Sequence, residues 1–167
     1  MTNREFDVVI YGATGFTGQL VAEYIAQAHG GGELEWAMAG RNLTKLEQVR
    51  SAIDAPSDTP LIVADASDPA SLEAMCARTK VVLTTVGPYQ LHGNELVAAC
   101  AKTGTDYCDL CGEPAWMRQQ TDLHQAEAAR TGARIVFSCG FDSIPFDLGV
   151  LLLQKHARAT NGTPAPR

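Results

Sequence analysis

The sequence predicts an α/β domain: a parallel sheet of six strands, doubly wound, with helices on both faces. Three observations predict it. Apolar strand-like runs alternate with helical patterns along the whole chain, glycines stand where helices should stop, and a glycine-rich turn joins the first strand to the first helix. Right-handed crossovers leave few arrangements for such alternation, and the strand order 3-2-1-4-5-6 is the expected one.

The first strand is Phe6-Asp7-Val8-Val9-Ile10-Tyr11, followed by Gly12-Ala13-Thr14-Gly15-Phe16-Thr17-Gly18 and a helical pattern over 19–27. Glycine is wanted there because the backbone must reverse tightly and approach a pyrophosphate closely. The helix that follows points its free N–H groups and positive dipole end at the phosphates. The spacing is G-x-x-G-x-x-G rather than G-x-G-x-x-G, so strand, turn and helix together carry the reading. Further strands are expected at about 35–39, 60–64, 80–86, 105–109 and 133–138.

The intervening helices have readable ends. The first should stop at His29-Gly30, the one placing Leu96, Val97 and Cys100 on one face at Thr103-Gly104, and the one containing Leu123 at Thr131-Gly132. Asp68-Pro69 reads as N-cap and first helical residue, with Leu72, Met75 and Cys76 on the buried face. After the sixth strand come Ser138 to Asp147, a short helix-like run to His156, and a tail from Ala157 with linker-like composition. The expected division is a nucleotide-binding domain over 1–153 and a tail or linker over 154–167.

Composition bounds the function. Of 167 residues, 46% are hydrophobic and 19% charged, and the formal net charge is −6 with no Lys/Arg run. That balance argues against nucleic acid and anionic membranes as partners. Apolar runs such as Leu148 to Leu153 are far below the ~20 residues that span a bilayer. The polar start Met1 to Glu5 has no signal-peptide character, and five cysteines fit a reducing compartment, so a cytoplasmic location is expected.

Strand ends carry the candidate site. The second strand ends in Ala39-Gly40-Arg41-Asn42, where an NAD-selective site would place an acid for the ribose 2'-hydroxyl. Arg41 instead offers a fork of donors to a 2'-phosphate, favouring NADP(H), with NAD the alternative. Glu33 and Glu35 belong to the wrong edge of the sheet. Asp65 ends the third strand, within reach of an adenine amino group or serving as a helix cap. Gly87-Pro88 follows the fourth strand, letting backbone lie along the cofactor. Tyr89 is then placed to orient substrate or give a proton, or to pack.

Cys108-x-x-Cys111 reads as buried thiols, because no second pair or histidine pair completes a metal set. His29-Gly30-Gly31-Gly32 reads as a helix stop and turn. Asp142-Ser143 and Glu113 lie at the carboxyl edge, where a carboxylate transfers a proton or caps a helix.

With these residues in hand the chain resembles the N-terminal part of the saccharopine dehydrogenase-like oxidoreductases, particularly the branch with the mycobacterial trans-acting enoyl reductases. The resemblance covers nearly all of 6–153. It rests on Tyr11 to Gly18, Ala39 to Asn42, Gly87-Pro88-Tyr89 with Gly93, Tyr107-Cys108-Asp109 with Gly112-Glu113, and Cys139 to Pro145. It implies a Rossmann domain binding NAD(P)H, and the candidate cofactor-binding residues are Gly12, Thr14, Gly15, Phe16, Thr17, Gly18, Arg41, Asn42, Asp65, Gly87, Pro88, Cys139 and Gly140.

The resemblance also implies hydride delivery to an activated carbon–carbon double bond of a lipid or polyketide intermediate, with Tyr89 and Asp142 as candidate catalytic residues. Family members carry a second domain after 140–145, which would roof the nicotinamide. A different class of function also fits a chain of this length: a non-catalytic NADP(H) sensor or regulatory subunit acting through a protein partner. Self-association through the apolar run Leu151 to Leu153 is a further expectation.

Overall fold

The computed structural model describes residues 4–29, 32 and 34–165. The elements run β1 (Phe6–Tyr11), α1 (Phe16–His29), β2 (Trp36–Gly40), α2 (Leu43–Ala52), β3 (Leu61–Val63), α3 (Pro69–Cys76), β4 (Thr79–Thr84), α4 (Tyr89–His92), α5 (Asn94–Thr103), β5 (Asp106–Asp109), α6 (Pro114–Thr131), β6 (Ile135–Val136) and α7 (Ile144–Asn161). The expected stop at Gly30, like Gly31 and Glu33, lies outside the described residues.

All six strands form one parallel sheet in the order β3-β2-β1-β4-β5-β6. Central β1 pairs with β2 through Val9 opposite Ala37 and with β4 through Val9 opposite Val82. Alternation along β1 divides the core between the two faces. Val9 and Tyr11 pack with Leu72, Met75, Leu96, Val97 and Trp116 from α3, α5 and α6. Ile10 packs with Ala22, Ile25, Leu46 and Val49 from α1 and α2. Each fully buried large apolar side chain contributes about 1.5–3 kcal/mol, which makes β1 the strand least tolerant of polar substitution.

The local signals act where they were expected. Gly104 and Gly132 adopt left-handed φ of 69° and 85° at the ends of α5 and α6. Asp68 caps α3 by accepting from Ala70 N at 3.1 Å, with Pro69 in the first turn. Two strands are shorter than their apolar runs. β6 stops at Val136 because the chain then turns to place Ser138 N on Asp109 Oδ1 at 2.8 Å, with Ser138 at φ 59°. β4 stops at Thr84, after which Thr85 N still reaches Tyr11 O at 3.0 Å before the chain leaves the sheet.

Helix α7 corrects the reading of the C-terminal region: it continues beyond His156 to Asn161, through residues expected to be tail. None of its residues is buried, and Phe146, Leu148, Val150, Leu151, Leu152 and Leu153 are all exposed. The helix therefore adds little to the stability of the sheet. Ending the chain at Ser143 should change unfolding free energy by less than about 1 kcal/mol and lower the fluorescence of a dye that binds apolar surface. Loss of cooperative unfolding in that variant would contradict this account.

Candidate functional site

The turn after β1 is built by close approaches that only glycine permits. Gly12 has φ +93°, and a Cβ there would lie 2.7 Å from Val86 Cγ2 and 2.8 Å from Thr85 Oγ1. At Gly18 a Cβ would lie 2.1 Å from Gly12 O, so α1 presses directly on the turn. Gly12 O accepts from Gly15 N at 2.9 Å, and the first helical bond of α1 runs from Gln19 N to Gly15 O. The amides of Phe16, Thr17 and Gly18 are thus left in the open first turn, where a helix offers donors to an anion. Phe16 and Thr17 are exposed, and Gln19 steadies the loop by donating to Thr14 O at 3.1 Å.

Gly12, Thr14 and Gly15 of this turn line a cleft of about 420 Å³ at the carboxyl edge of the sheet, and Phe16, Thr17 and Gly18 do not. Arg41, immediately after β2, lines the same cleft as Gly12, Thr14 and Gly15. Asn42 does not: its Oδ1 accepts from Lys45 N at 2.9 Å and caps α2. Asp65 lines the cleft after β3, and its Oδ1 accepts from Ser67 N at 2.8 Å and Ser67 Oγ at 2.7 Å. These bonds, with smaller contributions from Arg41 and His92, hold the Asp65 carboxyl below its usual range. The helix cap here is Asp68, leaving the outer face of Asp65 to the cleft.

Past β4, Gly87 lines the cleft and is joined to Pro88 by a cis peptide. Tyr89 turns away from it. Its ring is 5% exposed and packs on Trp116 at 5.6 Å. The hydroxyl donates to Thr84 O at 3.3 Å and accepts from Leu110 N at 3.4 Å. Burial pushes the phenol well above its ordinary range, which suits an anchor more than a proton donor.

Glu113 caps a helix, though not the one that follows it: its carboxylate accepts from Tyr89 N at 2.8 Å and Gln90 N at 2.9 Å, the first amides of α4. Cys139 and Gly140 dock on the end of β5, with Cys139 N donating to Asp109 O at 2.7 Å and Gly140 facing Leu110 so closely that a Cβ would lie 2.7 Å from Leu110 Cβ. Asp142 is exposed in the turn before α7. None of the three lines the cleft. Cys108 and Cys111 have thiols raised to about 11 by burial, which disfavours the thiolate that redox or metal chemistry needs.

Sequence reasoning passed over Tyr11, Gly40, Ala66, Ser67, Thr85, Val86 and His92 as site residues, and these also line the cleft. Most adjoin residues already identified, so continuity along a strand end was the available signal. His92 had none, because α4 is a four-residue helix with no periodicity to read.

A parallel sheet in this order, with a glycine turn between β1 and α1 and a cleft along its carboxyl edge, defines a Rossmann-type dinucleotide-binding domain. The family described as "Saccharopine dehydrogenase NADP binding domain" matches residues 8–136, and the chain belongs to that family.

Among curated relatives, a trans-acting enoyl reductase of Mycobacterium tuberculosis is 56% identical over 155 residues, covering 92% of this chain and 37% of the relative. That of Mycobacterium leprae is 55% identical over 153 residues, covering 91% and 36%. The chain thus spans little more than a third of the length of these relatives.

Two solved structures share the fold. Apo saccharopine dehydrogenase (L-Glu forming) of Saccharomyces cerevisiae superposes with a TM-score of 0.73 at 21% identity, over 92% of this chain and 32% of that one. Citrobacter sp. triphenylmethane reductase complexed with NADP(H) gives 0.56 at 17% identity, over 94% and 55%. No helix among the described residues is long and apolar enough to cross a membrane.

Proposed function

We propose that residues 1–153 are the cofactor domain of an NADPH-dependent oxidoreductase that reduces the carbon–carbon double bond of an enoyl lipid or polyketide intermediate. The observation that carries the cofactor preference is Arg41, which follows β2 and lines the same cleft as Gly12, Thr14 and Gly15, where an NAD-selective site would hold a carboxylate. The reaction and substrate class come from the trans-acting enoyl reductases to which the chain is 55–56% identical.

The residues fit the group: at Gly12 and Gly18 a side chain would fill the space that the turn needs, and the first turn of α1 presents free amides. In this reading Gly12, Thr14, Gly15, Phe16, Thr17 and Gly18 hold the pyrophosphate, Arg41 the 2'-phosphate, and Asp65 the adenine amino group. Gly87 and Pro88 lie along the cofactor beyond its phosphates. Bound NADPH supplies the hydride. The protein's part is to fix the cofactor's position, while walls from outside these residues hold substrate and exclude water.

Calorimetric titration with NADPH and NADH tests this without a substrate. Arg41→Ala should weaken NADPH about tenfold, as expected for an exposed charge-assisted contact, and leave NADH within about twofold. Equal affinity of the variant and the natural protein for NADPH would remove Arg41 from the site. Binding of neither dinucleotide by the natural protein would overturn the cofactor reading.

A further inference from the structure

We infer that Glu113, which lies outside the cleft, is a positioning residue for the cofactor: its carboxylate fixes the stretch of cleft wall from Gly87 to His92. This rests on the cofactor reading above. Gly87 and His92 both line the cleft, and Pro88 with α4 is the chain that joins them.

That stretch does not hold its own shape. A helix of four residues is far too short to be stable alone, and its N-cap, Pro88, offers no side-chain hydrogen bond to the first amides. Glu113 supplies what is missing from 24 residues away, with Oε1 accepting from Tyr89 N at 2.8 Å and Oε2 from Gln90 N at 2.9 Å. Both carboxylate oxygens are committed to adjacent amides, and charge-assisted bonds of this kind are about twice as strong as neutral ones. The carboxylate is itself anchored. Glu113 N donates to Cys111 Sγ at 3.3 Å, and Glu113 O accepts from Met117 N at 3.0 Å in the first turn of α6. Cys111 N in turn donates to Asp109 Oδ1 at 3.0 Å, so Glu113 ties the cleft wall to α6 and to the end of β5.

Losing the carboxylate should act locally. The Tyr89 side chain stays packed on Trp116 with its hydroxyl on Thr84 O, contacts that keep α4 attached to the domain without satisfying its first amides. The backbone between Gly87 and His92 would then open, and apparent affinity falls in proportion to the fraction of molecules in which the wall is formed. Gly87 and Pro88 lie along the part of the cofactor that NADPH and NADH share. Both dinucleotides should therefore weaken by one factor, in contrast to the NADPH-selective loss expected at Arg41.

Amide hydrogen exchange and calorimetric titration on the natural protein, Glu113→Ala and Glu113→Gln test this. Glu113→Ala should speed exchange at the Tyr89 and Gln90 amides about tenfold and raise the dissociation constants of NADPH and NADH about tenfold each. Glu113→Gln keeps one accepting oxygen and should raise both about threefold, and it carries the test alone if Glu113→Ala does not fold. NADPH should in turn slow exchange at those two amides in the natural protein, because coupling between two sites is reciprocal. Faster exchange with unchanged affinity would overturn the inference and leave Glu113 a structural cap. So would a loss confined to NADPH. Natural binding that responds to Arg41→Ala but not to either Glu113 variant refutes only this proposal, whereas absent binding of both dinucleotides by the natural protein removes the cofactor reading with it.

Discussion

Alanine at position 18 is expected to destabilise the domain by at least about 3 kcal/mol and to abolish NADPH binding. The added methyl would lie 2.1 Å from Gly12 O, 2.8 Å from Gly12 C and 2.9 Å from Ala13 Cα. All three are backbone atoms, so no side chain can swing aside, and α1 must move off the sheet. Overpacking against mobile side chains typically costs 1–3 kcal/mol, and a rigid obstacle belongs above that range. Gly15→Ala separates folding from binding. Its methyl would meet only Gly12 O, at 3.4 Å, so unfolding should change little while NADPH affinity falls because Gly15 lines the cleft. Chemical denaturation and calorimetry on the two variants check the contrast, and a natural-like unfolding midpoint for Gly18→Ala would refute it.

The second large effect is expected at Asp109, which is 3% exposed at the end of β5. Its carboxylate accepts from Tyr107 Oη at 2.7 Å, Cys111 N at 3.0 Å and Ser138 N at 2.8 Å, joining β5, the loop after it and the turn after β6. Asp109→Ala strands three donors, two of them buried, and should cost about 3–5 kcal/mol. Asp109→Asn keeps an oxygen for the two amides and a polar partner for Tyr107, so about 1 kcal/mol is expected.

Desolvation raises the Asp109 carboxyl above its usual range in spite of these donors. The folded state therefore holds that proton more readily than the unfolded one, and the group's contribution declines as pH rises above about 4. Urea unfolding of the natural protein and Asp109→Asn between pH 4 and 7 should show the difference narrowing, or turning in favour of Asn, towards pH 7. A constant difference would count against the shift.

Much of this molecule is written in residues adjacent to one another. Alternating apolar runs name the strands, Gly104 and Gly132 end helices because they adopt left-handed φ, and Asp68-Pro69 starts one by satisfying its first amides. The turn from Gly12 to Gly18 is readable in part for the same reason, since Gly15 and Gly18 meet Gly12 O within seven residues of chain, whereas the approach of Gly12 to Thr85 and Val86 comes from the sheet. Arg41 and Asp65 could be placed because a parallel sheet puts every strand's carboxyl end on one edge.

Long-range pairings were decided only when the sheet assembled. Neither the burial of Tyr89 against Trp116, nor the capping of α4 by Glu113 from 24 residues away, leaves a trace in local sequence. The truncation of β6 follows from Ser138 reaching Asp109 across 29 residues, although its apolar run continues. His92 belongs to the cleft only because those contacts fix α4. Periodicity and backbone preference are set by neighbours along the chain and so can be read from it, whereas which polar group meets which donor depends on elements that strand order alone brings together.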